Sequence, residues 1–397
     1  MPESAEICGS STEVTFRSFA FASATTVFIL FGTTASLYGP LLITFSHHFN
    51  VSLPVAGAVL SVNFVGAVVG VAIGWFSLNR IRGNAVLSSA LVVMALGAGA
   101  AALAPVWALF LASAFVIGVG FGAMDFTLNS LLMRTPVTGR AHRLSFANAG
   151  YGLGAVIAPV LIIAVHPHNF ALLFTGMAVI ALLLSTSNRG LHAPALHAEA
   201  RRRAFESRNR QRRPILATFV VAYILYVALE SSSAGWIAPQ LHRVGYTQTV
   251  ASVATAGFWL GLTIGRVGVG PLHRRFTDRN LVLGGLGLTV ILAAAAFFNV
   301  LAPYSYPLIG LALASVYPMG LIWYATLCPH DADGLALMIL FMMAGGVIGP
   351  GFVSLIVSIA GIHAVPVTIA IFALADLTVF ASALRFRPIE LANSARN

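Results

Sequence analysis

Apolar stretches recur along the chain, each near the ~20 residues an α-helix needs to cross hydrocarbon. They run over 19–45, 51–76, 85–104, 106–133, 144–165 and 169–187, then over 214–239, 248–272, 280–301, 304–327, 334–358 and 363–386. The pattern predicts twelve membrane-spanning helices, six on each side of one long polar break. That break, 188–213, holds Arg189, Arg201, Arg202, Arg203, Arg208, Arg210, Arg212 and Arg213 and no apolar period able to build a domain. The predicted organisation is an N-terminal segment 1–18, a six-helix bundle 19–187, a basic linker 188–213, a second six-helix bundle 214–386 and a tail 387–397. Residues 1–18 are polar and carry Glu3, Glu6 and Glu13, unlike the basic start of a cleavable signal peptide.

Composition agrees with a lipid surrounding. Of the 397 residues, 58% are hydrophobic and only 9% charged, with a mean hydropathy of +0.89. A soluble domain carries roughly 25% charged residues to cover its water-facing surface. The 22 basic residues are all arginine, and no lysine is present. A P-loop needs its lysine on the phosphates, and pyridoxal-phosphate chemistry needs a Schiff-base lysine, so both are excluded. Cys8 and Cys328 are too few for a disulfide framework or a thiolate metal site. His47, His48, His166 and His168 fall in different loops and do not form a metal-ligand pattern. No cofactor is expected.

The formal charge of +10 is read as arginine beside anionic lipid, not as a nucleic-acid surface. With the N-terminus on the cytoplasmic side, twenty arginines fall in cytoplasmic segments and Arg243 alone in an outer loop, with Arg266 inside the eighth stretch. The asymmetry predicts both termini and the linker to be cytoplasmic. The 328–333 loop, with Asp331 and Asp333, runs against the trend.

The halves repeat one another. Gly154-Ala155-Val156-Ile157-Ala158-Pro159 returns as Gly345-Gly346-Val347-Ile348-Gly349-Pro350, 191 positions later. Gly66, Gly70 and Arg80 return as Gly261, Gly265 and Arg275, each 195 positions on. Small residues four apart let helix backbones approach closely, so most of these glycines are expected to serve packing. Two similar halves joined by a cytoplasmic linker form a parallel repeat about an axis along the membrane normal, which resembles the major facilitator superfamily. The substrate is then expected near the midplane, between the halves.

Within that superfamily the motifs resemble the fucose-permease and glucose/galactose-carrier branch. The fourth stretch has Asp125 and Asn129 in an acidic-x-x-x-Asn element. The fifth opens Arg143-Leu144 and runs to Gly152-Leu153-Gly154-Ala155. The seventh has Tyr226-Val227-Ala228-Leu229-Glu230, and the eighth Phe258-Trp259-Leu260-Gly261 followed by Gly265-Arg266. Ser315-Val316-Tyr317-Pro318 and the Gly345-Gly346 run complete the set. Three departures matter. The first stretch, Gly32 to Pro40, lacks the carboxylate of the fucose permease; Ser77-Leu78-Asn79-Arg80 lacks the superfamily's acid; and Ala158-Pro159-Val160-Leu161 does not match the drug-antiporter run. The resemblance implies proton-coupled monosaccharide uptake.

Ionisable side chains within spans are costly, ~2.5–3.5 kcal/mol at the centre on insertion scales, so each needs a reason. Asp125, Glu230, Arg266 and Asp376 stand out. Asp125 has Asn129 one turn away on the same face and is read as a proton-coupling or substrate carboxylate. Glu230, about 24 Å along its helix at the helical rise, precedes Ser231, Ser232 and Ser233 and then Trp236, an arrangement able to clamp a sugar. Arg266 is read as snorkelling to the interface or pairing with a gate carboxylate. The resemblance implies that the twelfth span is peripheral, so Asp376 is read as a packing or gate residue. Among neutral polar groups, which include Tyr38, Asn63, Tyr151, Trp323 and Tyr324, those chosen are Asn148, Tyr226 and Trp259, which lie in the matching motifs.

The expected protein is therefore all-α and polytopic, in a bacterial inner membrane. It is a monomeric secondary carrier, not an enzyme, for a sugar-like solute and H⁺. The proton-coupling set is Asp125 and Glu230. The substrate set is Glu230, Asn129, Asn148, Tyr226 and Trp259, and the gate set is Arg266, Arg275 and Arg143. An exporter of metabolites or drugs, or a carrier-like receptor, remains the alternative. Its partners are the solute, the proton and the lipid bilayer, with no nucleic acid and no metal.

Overall fold

The structure is a computed structural model that describes residues 15–16, 18–78, 80–133, 140–165, 169–187, 191–192, 212–329 and 331–388. Its helices are α1 Ser18–His48, α2 Leu53–Leu78, α3 Gly83–Ala102, α4 Trp107–Met133, α5 Arg140–Val165 and α6 Phe170–Ser187. Then follow α7 Arg212–Arg243, α8 Gln248–His273, α9 Asp278–Ala296, α10 Ala302–Leu313, α11 Val316–Leu327, α12 Ala332–Ala360 and α13 Ala364–Ser382. A two-residue antiparallel ladder pairs β1 (Thr15–Phe16) with β2 (Leu191–His192). Among the described residues, eleven spans are long and apolar enough to cross a membrane, α10 and α11 together making one of them. The shorter apolar run Ala149–Val165 of α5 brings the helical spans to the twelve that the apolar pattern predicts. Leu96, Val267 and Ile359 are among the large apolar side chains left facing outward, as lipid contact requires.

Local chemistry explains the ends. Thr247 and Thr277 start α8 and α9 by accepting from the backbone N–H of Val250 and Asn280, each at 3.3 Å. Asp331 starts α12 by accepting from the Gly334 N–H at 2.9 Å. The tenth stretch, expected to be continuous, is broken at Ala314–Ser315. Pro318 has no N–H to give the Ala314 carbonyl four residues back, so the ladder is interrupted there.

Contacts divide the chain into two compact units, one of 1–32, 65–154 and 171–201, the other of 33–64, 155–170 and 202–397. Their borders cut α1, α2 and α5 within their lengths, unlike a division at the linker. In the first unit, α3 packs along α4, where Gly120 meets Ala90 and Met94. Gly66 and Gly70 of α2 lie against the backbone carbonyls of Phe115 and Val119 in α4.

The second unit repeats that packing. Gly261 and Gly265 of α8 lie against the carbonyls of Pro307 and Leu311 in α10. The same holds for the fifth and eleventh spans, with a corrected register. Gly150 of α5 meets the Thr25 carbonyl, and Gly345 of α12 meets the Ile224 carbonyl, one helical turn from the pairing by motif. The offset is then 195 positions here as well, in line with the glycines of α2 and α8. Parts of α1 and α2 also belong to this second unit. Gly39 abuts the carbonyls of Ala234 and Gly235 in α7, Ser61 Oγ donates to the Val347 carbonyl at 2.7 Å, and Gln248 Nε2 donates to the Pro40 carbonyl at 2.9 Å. α13 closes this unit against α9 and α7.

Candidate functional site

In the first unit, α4 carries Asp125 and Asn129 at i and i+4, one above the other on one helix face. Asn129 Nδ2 donates to Asp125 Oδ1 at 2.6 Å and to the Asp125 carbonyl at 3.1 Å. Around the carboxyl stand Val27, Phe28, Phe31, Met124 and Leu128, all apolar. Phe31 stacks on Phe121 at 3.8 Å and tilts against Tyr151 at 5.5 Å, so an aromatic group reaches the same wall from α5. Both Asp125 and Asn129 are half-buried. The arrangement holds a carboxyl group with one fixed donor in an apolar surround, which suits it to exchange a proton. The side chains of Asn148 and Arg143 lie outside the described residues.

In the second unit, α7 and α8 bring Glu230 and Arg266 together. Arg266 Nη2 lies 3.8 Å from Glu230 Oε1 and donates to Tyr226 Oη at 3.4 Å. The guanidinium also sits 5.9 Å from the centre of the Tyr317 ring, which tilts against Tyr226 at 6.2 Å. Snorkelling alone does not describe Arg266. Depth counted from the start of a predicted helix sets the two residues apart. The observed α7 has 32 residues, about 48 Å at the helical rise and more than hydrocarbon thickness, so distance along it does not give depth in the membrane.

The expected serine and tryptophan clamp around Glu230 is corrected. Ser231 and Ser233 donate back to the Val227 and Leu229 carbonyls at 2.6 and 2.8 Å, and Trp236 is 0% exposed, packed beside Gly57. Arg266 stands beside Glu230 instead, with Tyr226 and Tyr317 at its guanidinium. Trp259, also buried, turns its ring edge-on to Phe258 at 5.5 Å. Arg275 is exposed in the turn after α8 and has no ion pair among the described residues. Tyr38 and Asn63, candidates by polarity alone, meet in α1 and α2, where Asn63 Nδ2 donates to Tyr38 Oη at 3.4 Å.

One cluster escaped the sequence reading. Arg212 Nε binds Asp331 Oδ2 at 2.5 Å, and Tyr324 Oη donates to the same oxygen at 2.5 Å. Asp331 is the acid that ran against the arginine trend, and Arg212 was counted in the linker. The pair neutralises that acid and begins α7 two residues before the predicted start. The buried Cys328 adjoins it, and burial pushes its thiol up despite a hydrogen bond with Tyr324. No group of three or more metal-ligating side chains occurs among the described residues.

Comparison with known proteins gives these clusters their setting. The glucose/mannose transporter of Bacillus subtilis (strain 168) is 24% identical over 318 residues, 76% of this chain and 78% of that protein. The crystal structure of a D-xylose–proton symporter superposes with a TM-score of 0.76 at 17% identity, covering 93% of this chain and 98% of that one. That of the Escherichia coli fucose:proton symporter gives 0.63 at 20% identity, covering 92% and 99%. These likenesses show the fold, twelve membrane-spanning helices in two pseudo-symmetric bundles. Residues 24–301 match the Major Facilitator Superfamily, and the chain belongs to that family.

Proposed function

We propose that the chain is a secondary active transporter that carries a monosaccharide together with a proton by alternating access. The relatives' names support this: one is a glucose/mannose transporter, and two solved structures are proton symporters of xylose and fucose. The observation that carries the reading is the Glu230–Arg266 pair. Two opposite charges held 3.8 Å apart beside Tyr226 are not closed on each other. A sugar hydroxyl accepts from a guanidinium and donates to a carboxylate, so it fits between them, while tyrosine faces cover its C–H side.

Asn129, Asn148, Tyr226 and Trp259 complete the substrate set in this reading. Asp125, in its apolar surround with Asn129 as fixed donor, loads and releases the coupling proton. Arg266 doubles as a gate residue with Arg275 and Arg143. The carrier works as a monomer in the lipid of a bacterial cytoplasmic membrane, without covalent chemistry. Both termini and the 188–213 linker are cytoplasmic, and the functional halves are 19–187 and 214–386.

Counterflow in proteoliposomes with a panel of labelled monosaccharides tests the substrate class. At least one sugar is expected to exchange, and to lose exchange in Glu230→Gln. No exchange of any monosaccharide by protein that binds and moves another solute class would reject the reading.

A further inference from the structure

Asp376, in the middle of α13, takes no part in the clusters above. Its side chain is 0% exposed, and neither carboxyl oxygen has a hydrogen-bond partner among the described residues. Phe372 and Phe380, one turn to either side, share its buried face.

The elements packed on α13 offer it few charges. From α7 comes Tyr223, its ring 6.0 Å from that of Phe380, one turn from Asp376 on the same buried face. In α9 the ionisable groups are Asp278 and Arg279 at its start; Arg279 lies over Trp323 at 5.8 Å, and Trp323 stacks on Phe380 at 6.1 Å. α12 carries none beyond Asp333, and Arg385, nine residues on from Asp376, lies over Phe386 at 4.9 Å. Among the described residues Tyr223 is therefore the titratable group facing Asp376. While the Tyr223 hydroxyl is given to the Tyr317 carbonyl, a negative charge here has neither a donor nor a counter-charge among the described residues, in a low-dielectric surround. A proton answers both needs.

Tyr223 also faces the substrate cluster. Its hydroxyl donates to the Tyr317 carbonyl at 2.7 Å, and its ring lies 6.4 Å from Tyr226 and 5.7 Å from Tyr317. Tyr317 is the ring beside Arg266, the partner of Glu230. We propose that Asp376 is a second proton-binding site of the carrier, linked through Tyr223 and Tyr317 to the Glu230–Arg266 pair. The proposal deepens the proton-coupled reading above and rests on it for its role. On loading, the carboxylate takes one proton and becomes a neutral carboxyl. On release it becomes an acceptor, and the Tyr223 hydroxyl turns from the Tyr317 carbonyl to donate to it. The Tyr317 carbonyl then loses that donor, beside the Tyr317 ring that meets Arg266.

Infrared difference spectroscopy of the purified full chain, titrated with acid and base, tests this without any transport. The wild type is expected to show the carbonyl band of a carboxyl group without a hydrogen bond, and to lose it on raising pH together with a shift of a tyrosine band. Asp376→Asn should remove both changes, whereas Asp125→Asn should leave them and Glu230→Gln, at the far end of the link, should keep both and shift the pH at which they occur. Tyr223→Phe should keep the carbonyl band and lose the tyrosine shift, which covers the case in which Asp376→Asn does not fold. Both changes surviving in Asp376→Asn, or a band that never responds to pH while the protein stays folded, would overturn the proposal. So would a tyrosine shift that survives Tyr223→Phe. If the chain failed to carry sugars with protons, these bands would be unaffected, so the two failures are distinguishable.

Discussion

Arg266 Nη2 stands 3.8 Å from Glu230 Oε1, beyond the reach of a direct hydrogen bond, while the same nitrogen donates to Tyr226 Oη at 3.4 Å. The pair is loose because Arg266 is shared between α7 partners and the Tyr317 ring. A loose pair in a membrane span costs desolvation without recovering full Coulomb attraction, which is reasonable only if a third group closes it.

Glu230→Gln keeps shape and removes the charge. Sugar affinity in the substituted protein, measured by tryptophan fluorescence or calorimetry, is expected to fall by about 10-fold or more, roughly 1.4 kcal/mol. Arg266→Lys loses the planar fork that reaches both Glu230 and Tyr226 and should fall similarly. Unchanged affinity in both would remove the pair from the site.

Arg212 and Asp331 are largely buried, at 16% and 10% exposure, so removing either alone leaves the other uncompensated. Asp331→Asn keeps the cap on Gly334 but loses the ion pair, whereas Asp331→Ala loses both. The melting temperature is therefore expected to drop more for Asp331→Ala than for Asp331→Asn. Arg212→Ala should cost about 1–3 kcal/mol by leaving an acceptor under-satisfied. Equal melting of Asp331→Asn and Asp331→Ala would contradict the cap.

At Gly39 a Cβ would fall 2.7 Å from the Ala234 carbonyl oxygen and 2.9 Å from that of Gly235. Backbone cannot give as a flexible side chain can, so Gly39→Leu should part α1 from α7 at this end. A thiol placed by Ser61→Cys, whose native hydroxyl donates to the Val347 carbonyl, is then expected to react faster with a soluble maleimide. The same rate with and without the Gly39→Leu substitution would show that the Gly39 contact does not hold Ser61 against α12.

Cys328 supplies a pH test outside the spans. Its thiol is pushed up by burial, so at a given pH a smaller fraction is thiolate than in a free cysteine. Alkylation at neutral pH should be slow, and its rate should climb at higher pH than for a model thiol. A rate matching the free thiol at neutral pH would mean that the α11–α12 junction opens to water.

The spans were legible because the signal is long and one-dimensional. The stretch 248–272 became Gln248–His273, and the thirty-two residues of α7 were seen as 214–239. The break at Ala314–Ser315 was missed because Pro318 interrupts a ladder without interrupting hydropathy. Asp125 and Asn129 were legible as neighbours, since one helix fixes the i,i+4 relation. The Glu230–Arg266 and Arg212–Asp331 links were not, because they join residues 36 and 119 positions apart that no single helix relates. The serines after Glu230 misled for a related reason. In a helix a serine hydroxyl can satisfy itself on the carbonyl four residues back, as Ser231 and Ser233 do.

Accumulation driven by a pH gradient alone tests the central claim most directly. Proteoliposomes holding the wild type, acid outside and without a membrane potential, should concentrate a labelled substrate sugar inside. The Asp125→Asn protein, fixed in its protonated likeness, should still exchange that sugar down its own gradient and accumulate none. Loss of the pH gradient should leave the wild type in the same state. Uphill accumulation by Asp125→Asn under the same gradient, or wild-type accumulation that ignores the gradient, would contradict the account.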